Sequence, residues 1–270
     1  MTTTVVIPVW DEYVRFLEEA VGSVREDAPG TPIVVVDNAS SVPVPELPGT
    51  TVVRAPERLT VGAARNLGLD AVETDNVLVL DADDRLLPGT IGFLEGRLDA
   101  APERAVSCAG IVDGDTGARH RTPRRWAVRL ATARRLFALL HSAWSLYPIQ
   151  GCALFRTAAV REAGGYPDAD WGDDWVVSVS LAYRGQVDLN ERPGRWYRIT
   201  PGSISHRPRS AAELGASARL VRERIRADAG IPGWARALLP LVWALQLTAV
   251  HVARPILRGL RGRGPGAPPG

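Results

Sequence analysis

Apolar residues follow two rhythms along this chain. Short unbroken runs at residues 4–9, 32–37, 76–81 and 105–112 predict strands buried on both faces, and residues 51–54 predict a briefer one. Between them apolar positions recur at helical spacing: Val14, Leu17, Val21 and Val24 within 11–26, then segments 60–71 and 88–100. Segment 60–71 opens on small residues, Gly62, Ala63 and Ala64, and residues 43–48 form a proline-rich loop. The alternation predicts an α/β sandwich around a mostly parallel sheet. Further on, the pattern after Pro123 predicts a helix to Trp144, with Trp126, Leu130, Ala133, Phe137 and Leu140 on one side. A strand at 150–155, a short helix at 157–163, a loop at 166–171, a helix at 175–183 and strands at 186–189 and 195–199 follow. Ser210 and Glu213 make a capping box that opens a basic helix to about Ala229.

The stretch NVLVLDADD, residues 76–84, runs from an apolar strand straight into Asp81, Asp83 and Asp84. Unpaired buried carboxylates are costly, so these acids belong at the strand's C-terminal edge, where open α/β sheets hold their ligands. On an extended backbone Asp81 and Asp83 point to the same side, with only the methyl of Ala82 between them. Two hard oxygen ligands on one side suit Mg²⁺ or Mn²⁺ completed by substrate phosphates. An Asp-rich turn capping the next helix has the same composition. The strand at 32–37 also ends in an acid, Asp37, suited to accept an N–H from a base or to cap its own turn. Arg65, on a helix near this crevice, suits a pyrophosphate, or an ion pair with Asp37 or Asp70. Asp173 and Asp174 open a helix, as the helix dipole favours. Tyr166, Trp171 and Trp175 around them offer an apolar platform to a sugar ring, and surroundings that raise a carboxylate toward the working range of a base.

Composition sharpens the picture in three places. A chain of 270 residues, 46% hydrophobic, suffices for one large domain or one domain with an appendage. The formal charge of +2 is unevenly spread: no acid lies between Asp115 and Glu162, where nine arginines fall, and none lies after Asp228. Every basic residue is arginine. Faces of ordinary helices mix signs, so this asymmetry points to an anionic partner; no nucleic-acid-binding motif accompanies it. The first turn, Trp10-Asp11-Glu12, lacks the glycines of a dinucleotide site, and no GxxxxGK phosphate loop occurs. Cys108 and Cys152 lie in apolar surroundings and are expected as buried thiols, in keeping with a reducing cytosol. The N-terminal MTTTVVIPVW reads as a first strand and not as a signal peptide.

In order along the chain, VVIPVW, VVVDNAS, VGAARNLGL, LVLDADD and FRTAAVREAGGYPDADWGDDW resemble the family 2 glycosyltransferases over residues 4–206. The resemblance implies a GT-A-type, Rossmann-like sandwich with a mostly parallel central sheet, to which a C-terminal helical appendage is added. It implies inverting transfer of a sugar from a nucleotide-diphosphate sugar, with a divalent cation, Mn²⁺ or Mg²⁺. Donor contacts are implied at Pro8, Val9, Asp37, Arg65, Asp81 and Ala82. The DxD motif falls on Asp81 and Asp83, with Asp83 as the metal ligand; Asp174 is implied as the catalytic base, with Asp173 beside it. Asp37-Asn38-Ala39-Ser40 departs from the pair of acids more usual at the second strand end, and Thr200 stands where the family often has histidine. His206 is a further metal-ligand candidate, and Trp171, Tyr166 and Trp175 are acceptor candidates. A non-catalytic nucleotide-sugar-binding protein on the same fold is the alternative; it would keep the crevice and lose the base.

The expected organisation is a catalytic domain at 1–207, C-terminal helices at 208–260 and a flexible Arg/Gly/Pro tail at 261–270. Segment 234–260 is apolar, bracketed by Pro240 and Pro255, and too short between them for the ~20 residues of a bilayer span. With its arginines it reads as an interfacial helix, or else as a helix packed on the domain. The expected partners are a nucleotide sugar, a glycan or lipid-linked acceptor and an anionic membrane surface, without nucleic acid. The expected location is cytoplasmic, peripheral at the inner face of the membrane. Because every candidate site residue precedes Gly230, a chain cut there is expected to keep slow donor hydrolysis.

Overall fold

A computed structural model describes residues 2–121, 123–146, 152–199 and 210–248. In chain order the elements are β1 (Thr3–Val9), a 3₁₀ turn (Asp11–Phe16), α1 (Leu17–Asp27), β2 (Ile33–Asp37), β3 (Thr50–Arg54), α2 (Val61–Asp70), β4 (Asn76–Val79), β5 (Arg85–Leu86) and α3 (Thr90–Asp99). They continue with β6 (Arg104–Asp113), β7 (Arg119–Arg121), α4 (Arg125–Thr132), α5 (Arg134–His141), β8 (Ala153–Arg156), α6 (Thr157–Glu162), α7 (Asp173–Arg184), β9 (Gln186–Tyr197), α8 (Ala211–Ala227) and α9 (Gly233–Thr248).

The strands form one sheet in the order β3-β2-β1-β4-β8-β6-β9-β5, with β7 on β6. β3, β2, β1 and β4 are parallel; β8 is antiparallel to both β4 and β6, β9 is parallel to β6, and β5 is antiparallel to β9. Alternate residues of the parallel strands serve opposite layers. Val5, Ile7 and Val9 pack with Leu17, Val21, Leu94 and Leu98 of α1 and α3. Val6, Val36, Val77 and Val79 pack with Ala64, Leu69 and Val176 of α2 and α7. Both faces are covered, which is why the strands are unbroken apolar runs. From β1 the chain moves outward to β2 and β3, then returns to β4 on the other side of β1. That reversal opens a crevice beyond the C-terminal ends of β1 and β4, and the acids at 81–84 lie there.

The chain departs from its sequence pattern in four places. The helix expected from Pro123 to Trp144 is broken at Ala133 (φ −85°, ψ 65°) into α4 and α5, with β7 before them. The break lets α4 pack on β9 while α5 packs on α7 and α9. The two strands expected at 186–189 and 195–199 are one strand, β9, whose register with β6 shifts near Gly110 to accommodate Pro193 and Gly194. β5, two residues long, carries too little pattern to be predicted. Pro240 does not bound the last helix; α9 runs through it. Cys108 and Cys152 are buried free thiols, as expected. His206, Thr200, residues 150–151 and the tail from 249 onward lie outside the described residues.

Candidate active site

The crevice is built from loop ends that clip to one another. After β1, Asp11 takes a positive φ of 37°; its backbone N–H donates to Ser40 Oγ at 3.2 Å, and its carboxylate accepts from Ser41 N and Oγ at 2.8 and 2.7 Å. Non-glycine residues rarely adopt such backbone angles, and here the hydrogen bonds hold the conformation. Pro8 and Val9 lie in β1 beside Asp37. Asp37 is buried, accepts from Ser40 N at 2.9 Å and pairs with Arg54. Arg54's side chain is 58% exposed, whereas that of Asp37 is 4% exposed.

The first turn of α2 is roofed by the loop at 166–171. Gly62 N donates to Ala169 O at 3.0 Å, Val61 N to Asp170 at 3.1 Å, and Thr60 Oγ1 to Asp168 at 2.6 Å. A Cβ on Gly62 would lie 1.9 Å from Pro167 O, so only glycine admits this loop. Asn66 fastens it further, exchanging hydrogen bonds of 2.8 Å with the backbone of Tyr166.

One turn along α2, Arg65 joins Asp81 to Asp173 at the start of α7. Its Nη1 lies 2.5 Å from Asp173 and its Nη2 3.2 Å from Asp81. Its ion-pair partners are therefore these two acids, in place of the Asp37 or Asp70 that the sequence suggests. Asp81's other oxygen pairs with Arg195 of β9, which also pairs with Asp84, its Nε donating to that carboxylate at 2.5 Å. Burial opposes the charge on Asp81, but the guanidiniums of Arg195 and Arg65 outweigh it and hold the carboxyl below its ordinary range. Arg65 and Arg195 are both held firmly in their charged forms by these acids. Arg198 completes the turn: its N–H donates to Asp84 at 2.8 Å and its Nε to Asp83 O at 3.0 Å.

Asp83 and Asp84 differ from Asp81. Burial, and then the charge of Asp81, push the Asp83 carboxyl up to about 6, and burial pushes Asp84 up as well. A carboxylate in such surroundings gains from a nearby cation, and that is the fit of a divalent metal to this turn. Among the described residues no cluster of three His, Cys, Asp or Glu forms a metal site, so the remaining ligands would come from donor oxygens and water. Asp81 presents both oxygens to arginines, and Ala82 is buried between the two acids.

At α7, Asp173 is 4% exposed and held by Arg65, whereas Asp174 is partly exposed and accepts from Trp175 N at 2.7 Å. The three aromatic candidates divide. Tyr166 is buried, with the Arg65 guanidinium 5.7 Å from its ring; Trp175 is half-buried and donates its Nε1–H to His141 O at 2.7 Å; Trp171 is exposed. Arg195, Arg198 and Arg54 were not foreseen as site residues. The legible signal for Arg195 was the surplus of acids in DADD, which a folded chain has to match with buried cations.

A mostly parallel sheet with a crevice at its reversal point, lined by a strand-end acid, the Asp81–Asp84 turn and a helix opening on two acids, has the GT-A architecture. The chain belongs to glycosyl transferase family 2, whose family model matches residues 4–164, and it is a glycosyltransferase. Among solved structures it is similar to S. aureus TarS residues 1–349 in complex with UDP-GlcNAc, at 14% identity and a TM-score of 0.70, covering 92% of this chain and 73% of that one. It is also similar to the same TarS segment with UDP, at 13% identity and a TM-score of 0.65, covering 92% of this chain and 71% of that one. At these identities the likeness establishes the shared fold. No curated protein sequence matches the chain.

Proposed function

We propose that this protein transfers a sugar from a nucleotide-diphosphate sugar to an acceptor hydroxyl with inversion at the anomeric carbon. The observation that carries the reading is Arg65, which ties Asp81 at the donor end of the crevice to Asp173 at the start of α7. Donor acids and the candidate base thereby share one site. The bound UDP-GlcNAc and UDP of the TarS structures support a uridine-nucleotide donor. Asp37, Pro8 and Val9 would meet the base and ribose, and Arg65, Asp81 and Ala82 the diphosphate side. Asp83 would hold a divalent cation, Mn²⁺ or Mg²⁺; when bound, it would neutralise charge on the departing diphosphate.

Asp173 is committed to Arg65, so the partly exposed Asp174 is assigned the base role. Asp174 takes the acceptor's hydroxyl proton, and the oxygen's electron pair forms the new bond to the anomeric carbon. The bond to the nucleotide diphosphate breaks on the opposite face, and its electron pair leaves with the phosphate oxygen. Trp171 is exposed beside this helix and offers the acceptor an apolar surface. We place the acceptor, a glycan or a lipid-linked sugar, at the cytoplasmic face of a membrane.

Incubating the protein with Mn²⁺ and a panel of nucleotide sugars should release one nucleotide diphosphate in preference to the rest. Asp83→Asn should lose cation-dependent donor binding in calorimetry. Asp174→Asn should keep donor binding and turn over at least ~100-fold more slowly. A chain that binds donor but releases no diphosphate with any acceptor would be a nucleotide-sugar-binding protein instead.

A further inference from the structure

Two acid-free stretches, about a hundred residues apart in the chain, are brought together by the fold. α5 packs against α9. The Arg135 guanidinium lies 5.9 Å from the Trp234 ring, and Trp243 Nε1 donates to Ser142 O at 3.3 Å. Ala235, Leu239 and Val242 of α9 are buried, so the helix has an inner face. Its outer face is also apolar: Leu238, Leu241 and Leu245 are 45%, 61% and 57% exposed, at a spacing that sets them in one stripe. Trp234, at the start of the same helix, and Leu136 of α5 are exposed as well. The arginines of α4 and α5 at 129, 134 and 135 are exposed, and α4, α5 and α9 contain no acid.

A stripe of leucines on a surface helix marks an interaction site. Its charge selects the occupant. In a two-fold contact each patch meets its own like, so arginines without carboxylates would face arginines. An anionic lipid surface instead supplies the missing negative charge, accepts leucine side chains into its acyl boundary and accommodates tryptophan at headgroup level. Among the described residues no helix is long and apolar enough to cross a membrane, so α9 would lie along the surface.

We propose that the face formed by α5 and α9 docks on an anionic bilayer, with Leu238, Leu241 and Leu245 entering the interface and Arg129 and Arg135 over the headgroups. The docked face ends beside the site: His141, the last residue of α5, accepts through its carbonyl from Trp175 Nε1, one residue from Asp174. The acceptor is then a sugar or hydroxyl carried on a lipid. This last step rests on the transferase reading; the docking does not.

The test is co-sedimentation of the full chain with phosphatidylcholine vesicles, with and without phosphatidylglycerol, alongside donor hydrolysis without vesicles. Binding should require the anionic lipid and be partly released by salt. The double variant Leu241→Glu, Leu245→Glu should bind at least ~10-fold more weakly, with its melting temperature and vesicle-free hydrolysis unchanged. Binding to anionic vesicles without hydrolysis of any donor would support the docking and place the failure on the transferase reading. A chain left in the supernatant with anionic vesicles at low salt overturns the proposal. So does a dimer in the ultracentrifuge that the double variant splits, since the stripe would then join two copies.

Discussion

Asp173, Arg65, Asp81, Arg195 and Asp84 alternate in sign through the centre of the site. Each acid is a legible candidate in the sequence, and so is Arg65; their pairing is not, because it depends on which strand comes to lie beside which turn. Arg195 is 111 residues from Asp84. A second buried residue, His141, shows how such a group acts through protonation. Its Nδ1 accepts from Leu146 N at 3.2 Å, so the proton sits on Nε2, which donates to Ser178 Oγ at 2.8 Å. Burial pulls the imidazole down from 6.5 to about 3. The unfolded chain therefore binds one more proton than the native chain between these values. Stability from this group is complete above the unfolded value and is lost as pH falls toward the folded one. Lowering the pH from 7 to 5 should cost about 2 kcal/mol through His141 alone. Asp83, raised by burial, titrates in the same window with the opposite sign, so the check is a difference: between the two pH values, urea titrations of the native protein and of His141→Gln should diverge by about that amount, the native protein faring worse at pH 5.

At the scale of elements, arginines are used as helix caps. Arg161 donates to Leu69 O and Val72 O at the end of α2, Arg156 to Leu98 O at the end of α3, and Arg134 to Tyr183 O at the end of α7. Each matches a guanidinium to the carbonyl end of a helix dipole. The acid-free arginine run thus serves partly inside the molecule, and only part of it is left for a partner. The start of α2 depends on close approach instead. Gly62→Ala would set a methyl against Pro167 O, and the loop carrying Asp168 and Asp170 would have to lift from the helix. Overpacking of this kind costs about 1–3 kcal/mol. The variant should melt several degrees lower and hydrolyse donor more slowly, because the same loop leads into Asp173 and Asp174. Unchanged melting and hydrolysis would show that the loop adjusts freely.

For the whole molecule, the open point is whether the C-terminal helices are separate from the catalytic body. As an appendage, α9 would be dispensable for donor hydrolysis. The structure instead buries Ala235, Leu239 and Val242, places Trp234 6.2 Å from Tyr183 of α7, and sets Gln246 on Ala143 O. Removing it would expose the outer sides of α5 and α7. At about 1.5–3 kcal/mol for each large apolar side chain, the chain ending at Gly230 should melt on the order of 10 °C lower. Its donor hydrolysis should fall together with its vesicle binding. The double leucine variant should lose only the binding, and thermal melts with parallel hydrolysis assays separate the two cases.

The local pattern of this chain determined its α/β layering, the acids at the ends of β2 and β4 and the two acids that open α7. These follow from periodicity and from the cost of burying charge, both of which are written in neighbouring residues. Tertiary structure alone decided that Arg195 closes the DADD turn, that Asp173 is spent on Arg65 while Asp174 stays partly exposed, and that the two acid-free segments form one face. Each of these joins groups distant in the chain, and a linear sequence carries no direct record of distance between elements once they pack.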